Sequence, residues 1–245
     1  MTVSGLRWDR SGRAILTDAL ARLGPSHCIV EIHPTELVFT EPPTTRHRDR
    51  TGGGRLLECG ATLSTAWTVL RVLGQEPAVT FPDDPDHPDV VAVLRTTGTR
   101  ASTSGEWARY AALRKPAEPA RVPLTPVSFG VLRELASDSF WPDAAVRPVR
   151  PDWIPTLKHL GADLTGQSSL LITTSGDTRR HHVLAGAALH STRLAAVIRG
   201  FATEVVAMPV RATGERARLV EQAVLPGVPQ ALVLVGLHVS KRKRN

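Results

Sequence analysis

Three polar stretches of the sequence carry residue types that could do chemistry. The first is the acidic run DDPDHPD at 83–89, the second is the turn TSGD at 174–177, and the third is the basic tail KRKR at 241–244. Paired carboxylates in the first could bind a cation, but alternating Asp and Pro is also ordinary punctuation before a helix. We favour the helix start, because the apolar run 90–94 reads as its continuation. The tail could close over a phosphate, or it could simply be solvated.

Metal and thiol chemistry receives no support from residue spacing. Cys28 and Cys59 are far apart in sequence and form no CxxC pair, so neither a zinc site nor a disulfide framework is indicated. Nine His residues are present without an HExxH arrangement. A nucleophile elbow, a P-loop and a GxGxxG fingerprint are also absent from the sequence. Spacing alone therefore identifies no catalytic residue.

Composition favours a globular protein and argues against a nucleic-acid binder. The chain has 245 residues and a net charge of +7, and Arg makes up 26 of its 30 basic residues. A basic surface attracts phosphates, but these Arg residues are scattered and aromatic residues are only 4% of the chain. We therefore expect no nucleic-acid partner. No secretion signal or membrane-spanning run is recognised, which predicts a cytoplasmic protein with reduced thiols.

The element that must position these groups is a long apolar helix at 55–74, followed by a short strand at 78–81. The helix is apolar around most of its girth, which is typical of a buried helix. Gly74 is suited to end it, because glycine accepts the left-handed conformation. The pattern recurs 126 positions later, where Gly60 falls on Gly186 and Gly74 on Gly200. This repetition predicts two related half-domains.

Other segments complete an α+β pattern. We predict a helix at 14–23, a hairpin at 29–40, a helix at 102–114 with a capping box, and a helix at 126–136. Buried strands are predicted at 168–174 and 230–239, with the second core helix capped by Ser175 or Asp177. A further helix is predicted at 214–224. The Pro-rich segment 115–126 is the expected connector, and 137–155 is expected to be an irregular surface loop or lid.

Two stretches of the sequence resemble the Acg family, the FMN-binding, nitroreductase-like proteins of actinobacteria. They are LVFTEPP…GGGRLLECGATLSTAWTVLRVLGQEPAVTFPDDPDHPD and SLLITTSGDTRRHHVLAGAALHSTRLAAVIRGFATEVVAMPV…LPGVPQALVLVGL. The resemblance implies an α+β nitroreductase-like fold in which two half-domains, residues 1–115 and 116–245, imitate a nitroreductase dimer. It also implies that the protein is a flavoprotein, whose FMN cofactor would lie in a groove between the halves.

The resemblance also assigns cofactor-binding residues, although no catalytic residue and no metal ligand. The family's motif reads approximately PS-x-HN-x-QPW, of which Pro25 to Cys28 keep only the beginning. Its Arg-rich phosphate stretch corresponds to 114–121. The implied FMN contacts are Ser26, His27, Arg114, Lys115, Thr174, Ser175, Lys241, Arg242 and Arg244. Each also has a plain structural interpretation: a turn residue for Ser26, a helix cap for Thr174 and Ser175, and a disordered tail.

Two functions follow from the resemblance. The first is an FMN-dependent oxidoreductase acting on a small molecule or a peptide-derived biosynthetic intermediate. The second is a flavin-storage protein or a cofactor-free scaffold that partners an intact paralogue, and it is motivated by the incomplete motifs. A homodimer and a hetero-partner both stay open.

Overall fold

The computed structural model describes residues 9–24, 28–42, 53–115, 124–139, 141–159, 164–206, 221 and 225–237, except for the side chains of 156 and 159. The chain divides into two compact units. Unit 1 comprises Met1–Pro116 and Thr178–His190, and unit 2 comprises Ala117–Asp177 and Ser191–Asn245. The division at 115/116 that the sequence suggests stays a prediction.

Unit 1 is built on a four-stranded antiparallel sheet. Its elements are α1 (Arg10–Ala21), β1 (Ile29–Ile32), β2 (Glu36–Thr40), α2 (Gly53–Val72), β3 (Gln75–Thr80), β4 (Val90–Thr99), α3 (Ser104–Leu113) and the first part of α6 (Arg179–Ile198). The strand order is β1-β2-β4-β3, and β1 and β2 form the predicted hairpin.

The predicted core helix is confirmed as α2, and its threonines are buried as well. Thr62, Thr65 and Thr68 each donate the hydroxyl proton to the carbonyl four residues earlier, at 3.0, 3.0 and 2.9 Å. These bonds satisfy the hydroxyls inside the helix, so the face that carries the threonines can also be buried against other elements. The helix ends before Gly74, which has a φ of 77°.

The helix expected after the acidic run is wrong, because residues 90–99 form β4. The run VVAVLRTTGT is rich in β-branched residues, which favour a strand. β4 pairs with β2 on one side and with β3 on the other. The acidic run itself is a turn, in which the Asp84 carboxylate accepts a hydrogen bond from the Asp86 amide at 3.0 Å.

The predicted capping box at the start of α3 is confirmed. The Thr103 hydroxyl accepts from the Glu106 amide at 3.2 Å, and the Glu106 carboxylate accepts from the Thr103 amide at 2.7 Å. Two of the amides without a helical partner are thereby satisfied at this helix end.

Unit 2 contains a second antiparallel sheet. Its elements are β5 (Thr125–Pro126), α4 (Phe129–Asp138), β6 (Ala144–Pro148), a 3₁₀ helix (Pro151–Trp153), α5 (Ile154–His159), β7 (Ser169–Thr174), the end of α6, β8 (Ala202–Val206) and β9 (Val228–Leu237). β9 pairs with β7 and β8, and β6 pairs with β7. All six residues of β7 are buried.

The stretch predicted as an irregular loop or lid contains regular structure. Among the described strands β6 pairs only with β7, and an edge strand tolerates a proline such as Pro148. Trp153 belongs to a buried cluster with Leu157, Leu171 and Leu232. This anchoring in the core is the reason that the segment is not a lid.

The second core helix begins later than predicted. α6 starts at Arg179, and the amide of His182 donates to the carbonyl of Thr178 at 3.1 Å. Thr178 therefore holds the cap position that was predicted for Ser175 or Asp177. The helix predicted at 214–224 falls, except for residue 221, outside the described residues, as does the chain after 237.

The long helices α2 and α6 have the same length, and the two sheets share a strand order. α2 and α6 each have 20 residues, and their ends lie 126 positions apart. Gly74 and Gly200, which follow them, have φ values of 77° and 78°. The sheet of unit 2 contains the order β6-β7-β9-β8, which matches β1-β2-β4-β3 of unit 1. No helix in the described part of the chain is both long and apolar enough to cross a bilayer.

Candidate functional site

The turn that follows β7 is fixed by one buried side chain of β9. Gln230, which is 5% exposed, donates its amide protons to the Thr174 hydroxyl at 2.9 Å, the Gly176 carbonyl at 3.2 Å and the Asp177 carboxylate at 3.3 Å. A side-chain amide has two protons, so two of the three acceptors share one proton. These contacts hold residues 174–177 in one shape.

The Thr174 hydroxyl is fully engaged as a donor within this turn. It donates to the carbonyl of Gly176 at 2.8 Å while it accepts from Gln230. Gly227 closes the turn from the other side, since its φ is 130° and a Cβ there would lie 2.7 Å from the Thr174 carbonyl oxygen. Thr174 therefore shapes the turn, and its hydroxyl proton is not available to a ligand.

Two adjacent cations lie at the end of α3, in unit 1. Arg114 and Lys115 are exposed, and their backbone amides donate to the carbonyls of Ala111 and Ala112 at 3.2 and 3.1 Å. The charge of Arg114 reaches Asp18: hydrogen bonding to Arg22 chiefly lowers the pKa of Asp18, burial opposes it, and the Arg114 charge adds to the lowering. This pair is a solvent-facing positive group suited to an anion.

Sequence-predicted cofactor residues are thus distributed between the units. Thr174 and Ser175 are neighbours in the turn of unit 2, whereas Arg114 and Lys115 are neighbours in unit 1. The other predicted contacts lie outside the described residues: Ser26, His27, Lys241, Arg242 and Arg244. The role of each predicted residue towards FMN stays a prediction.

Sequence reasoning missed Gln230, although a signal was present. Gln230 is the polar exception in the otherwise apolar strand QALVLVGL. A buried polar side chain must find hydrogen-bond partners, and such a residue at the start of a core strand indicates a polar neighbour. The identity of that neighbour could not be read from the sequence.

A second missed feature is a buried ion cluster in unit 1. The Glu41 carboxylate accepts hydrogen bonds from Arg55 Nε at 2.7 Å and from the guanidinium nitrogen Nη2 of Arg179 at 3.0 Å. Arg179 also donates to the carbonyl of Pro88. Glu41 and Arg55 side chains are 6% and 8% exposed, so both charges depend on each other. The cluster ties β2, α2 and the first turn of α6 together.

Glu106, a carboxylate with a strongly lowered pKa, belongs to another ion cluster of unit 1. Burial alone would raise the pKa of Glu106, but hydrogen bonds from Arg71 and from Thr103 outweigh it and lower the pKa to about 2. Arg71 Nε lies 2.7 Å from Glu106, and Arg100 lies 3.0 Å from it. Glu106 is therefore a fixed anion that joins α2 to α3 rather than a proton donor. Among the described residues, no group of three or more His, Cys, Asp or Glu is placed to hold a metal ion.

Comparison with known proteins gives a likeness at the level of structure only. No family model matches the sequence, and no curated protein is similar to it. The structure is similar to that of an Anabaena variabilis protein described as a "putative nitroreductase", with a TM-score of 0.61, 12% sequence identity, and coverage of 94% of this chain and 74% of the other. The hypothetical oxidoreductase YcnD from Bacillus subtilis is similar at a TM-score of 0.43 and 16% identity, over 54% of this chain and 66% of YcnD.

The first of these likenesses establishes the fold. The mixed α and β structure described above is nitroreductase-like, as the sequence resemblance implied. A shared fold at 12% identity does not carry an activity with it. The TM-score of 0.43 for YcnD is too low to establish a shared fold.

Proposed function

We propose that the protein is an FMN-dependent oxidoreductase of the nitroreductase type, related to the Acg family. The observation that carries the proposal is the nitroreductase-like fold over 94% of the chain. Its substrate would be a small molecule or a peptide-derived biosynthetic intermediate, and its location would be the cytoplasm. The sequence resemblance in both core segments supports this interpretation.

The residues of the structure fit the phosphate end of FMN. Arg114 and Lys115 are exposed, and neither side chain has an ion-pair partner within 4.0 Å among the described residues. A phosphate takes charge-assisted hydrogen bonds from such groups. The role towards FMN that the resemblance assigns to Thr174 and Ser175 is a separate proposal for unit 2, where the Thr174 hydroxyl proton is already donated to Gly176.

Bound flavin would supply the hydride chemistry, as cofactors do in enzymes of this kind. The chain's own contribution would then be binding and orientation. Arg114 and Lys115 would hold the phosphate, and Gln230 would keep the turn at 174–177 in shape through its three contacts. We assign no catalytic residue.

We further infer that the two core helices descend from one ancestral unit, so that one chain imitates a nitroreductase dimer. The shift of 126 positions, the equal helix lengths and the matching strand orders support this inference. Contacts inside unit 1 support it too. A Cβ on Gly60 would overlap the carbonyl of Val183, and a Cβ on Gly186 would overlap that of Leu57. Leu57 and Val183 are themselves 126 positions apart.

A spectroscopic titration tests the proposed cofactor. The purified chain is mixed with FMN, and binding is measured by quenching of flavin fluorescence and by the shift of the visible absorption bands. We expect saturable binding, followed by bleaching of the bands with NADH or NADPH and recovery with a nitroaromatic acceptor. Protein that stays colourless and leaves FMN fluorescence unchanged would overturn the proposal.

A flavin-storage or scaffold role is the second candidate. The hydrogen-bonded state of Thr174 favours it, because a side chain that the resemblance assigns to the cofactor is instead used to close a turn. If the protein stores flavin, FMN should bind, and no added reductant should support turnover of an acceptor substrate. A scaffold predicts no flavin binding, together with a stable complex with an intact paralogue that can be isolated by affinity purification.

A further inference from the structure

The two cysteines meet in unit 1, although 31 positions separate them in the sequence. Both carry thiols. Hydrogen bonding to Cys28 is the largest cause of the raised pKa of the Cys59 thiol. Cys59 is 0% exposed, whereas Cys28 is half-buried at the start of β1.

The strand register places Cys28 on the buried face of the β1–β2 hairpin. Ile29 pairs with Thr40, so the next residues outward in this antiparallel pair are Cys28 and Glu41. Cross-strand neighbours point to the same face of a sheet. Phe39 of β2 and Glu41, which directly follows β2, lie two positions apart and are both buried, which identifies this face as the one turned into the core.

The buried ion pair then places α2 over the same spot. Arg55 Nε lies 2.7 Å from the Glu41 carboxylate. Residues four apart in a helix share a face, so Cys59 follows Arg55 on the side of α2 that is turned towards Glu41. The hairpin register therefore places Cys28 beside Glu41, and the ion pair turns the face of α2 that carries Cys59 towards the same Glu41.

We propose that Cys28 and Cys59 form a reversible dithiol–disulfide site that reacts with low-molecular-mass disulfides. Cys28 is the accessible thiol and attacks first. Its thiolate forms a bond to one sulfur of the small disulfide, and the other sulfur leaves as a thiolate. Cys59 then loses its proton and attacks Cys28 Sγ, so that the second small thiol leaves. Two electrons pass from the protein to the small disulfide, which is released as two thiols.

The order of attack follows from the environment of each sulfur. The hydrogen bond with Cys28, burial and the charges of Glu41 and Glu58 all raise the pKa of Cys59. A buried thiol of this kind is protected from external reagents. It reacts when its neighbour has become a mixed disulfide, because that sulfur is already within reach.

The test uses the full chain equilibrated with oxidised and reduced glutathione at varied ratios. Thiols are trapped by acid and alkylated after denaturation, and non-reduced peptides are analysed by mass spectrometry. We expect a linked peptide pair containing Cys28 and Cys59, a loss of two hydrogen atoms from the intact mass, and full reversal by dithiothreitol. The linkage should be intramolecular, so its yield should not depend on protein concentration.

Matched variants separate the two sulfurs. In Cys59→Ser we expect Cys28 to retain one glutathione, because no resolving thiol is present. In Cys28→Ser we expect Cys59 to stay a thiol under the same conditions. Retention of glutathione on Cys28 in the wild-type chain, with Cys59 still alkylated after denaturation, would overturn the proposal. Linkage only between separate chains would overturn it as well.

Discussion

Gly60 of α2 and Gly186 of α6 contact each other's helices in an interchangeable way. Each glycine lies against the carbonyl of the residue three positions before the other one, Val183 for Gly60 and Leu57 for Gly186. Ser64 and His190 lie four positions after these glycines and are also 126 positions apart. A buried hydrogen bond of 3.3 Å joins them. Residues at equal positions of the two helices therefore play equal parts in this crossing.

Replacing either glycine should destabilise the protein to a similar extent. In Gly60→Ala and in Gly186→Ala the new methyl group overlaps backbone atoms that no side-chain rotation can move. We expect a loss of about 2–4 kcal/mol in the free energy of unfolding for each, measured by urea denaturation.

Gly105→Ala in α3 is the matched control. A Cβ there would have its nearest neighbour at 3.9 Å, so this variant should be neutral or more stable by up to about 1 kcal/mol. Equal stability of all three variants would contradict the close helix crossing.

Removing the amide of Gln230 should loosen the turn at 174–177. Gln230→Met keeps the length of the side chain but removes the donor to the Thr174 hydroxyl and one of the two donors to the Gly176 carbonyl. We expect a loss of about 1–3 kcal/mol, and faster hydrogen exchange in peptides that cover the turn. Gln167→Met is the control, since that side chain is half-buried and makes no hydrogen bond among the described residues. Unchanged exchange in Gln230→Met would show that the turn does not depend on it.

Acid should weaken the protein through Glu106. The pKa of Glu106 is about 2 in the folded state and 4.5 as its ordinary value, so its stabilising contribution is present above pH 4.5 and is lost as the pH falls towards 2. The free energy of unfolding of the wild type should therefore fall more steeply over this range than that of Glu106→Gln. At neutral pH we expect Glu106→Gln to be less stable by about 1–3 kcal/mol, because Arg71 loses its carboxylate partner.

Asp83→Asn removes an exposed carboxylate that has no ion pair among the described residues, and it should follow the wild-type pH curve. If Glu106→Gln also followed that curve, Glu106 would not be the source of the acid sensitivity.

The phosphate role proposed for Arg114 and Lys115 can be separated from flavin binding in general. Riboflavin lacks the phosphate of FMN, so Arg114→Ala and Lys115→Ala should weaken FMN binding and leave riboflavin binding unchanged. An exposed charge-assisted contact contributes about 1 kcal/mol, which corresponds to roughly fivefold in Kd. Arg133→Ala on the exposed face of α4 is the control. Equal weakening by all three variants would indicate only a general effect of net charge.

Local sequence signals predicted the elements whose stability is local. The alternation of β1 and β2, the capping box at Thr103 and the glycine after α2 each act within a few residues, and each was recognised. Val90 to Leu94 was misassigned because a short apolar run fits both a helix and a strand. Pairing with β2 and β3 decided the outcome, and this pairing is not visible along the chain.

The polar contacts of the candidate site were less predictable than the fold. Gln230 reaches Thr174 across 56 positions, and Arg179 reaches Glu41 across 138. Such contacts depend on strand register and helix packing, for which a single sequence gives no measure. The same holds for Cys28 and Cys59, whose spacing gave no sign that they are neighbours.

One property of α6 bears on how the protein is made. Its first part belongs to unit 1 and its last part to unit 2, and Gly60 packs against its residue Val183. During synthesis on the ribosome, α6 therefore cannot pack against α2 until most of the chain has been translated. A nascent chain that stops before Thr178 would expose to water the apolar surface of α2 that α6 covers in the folded protein.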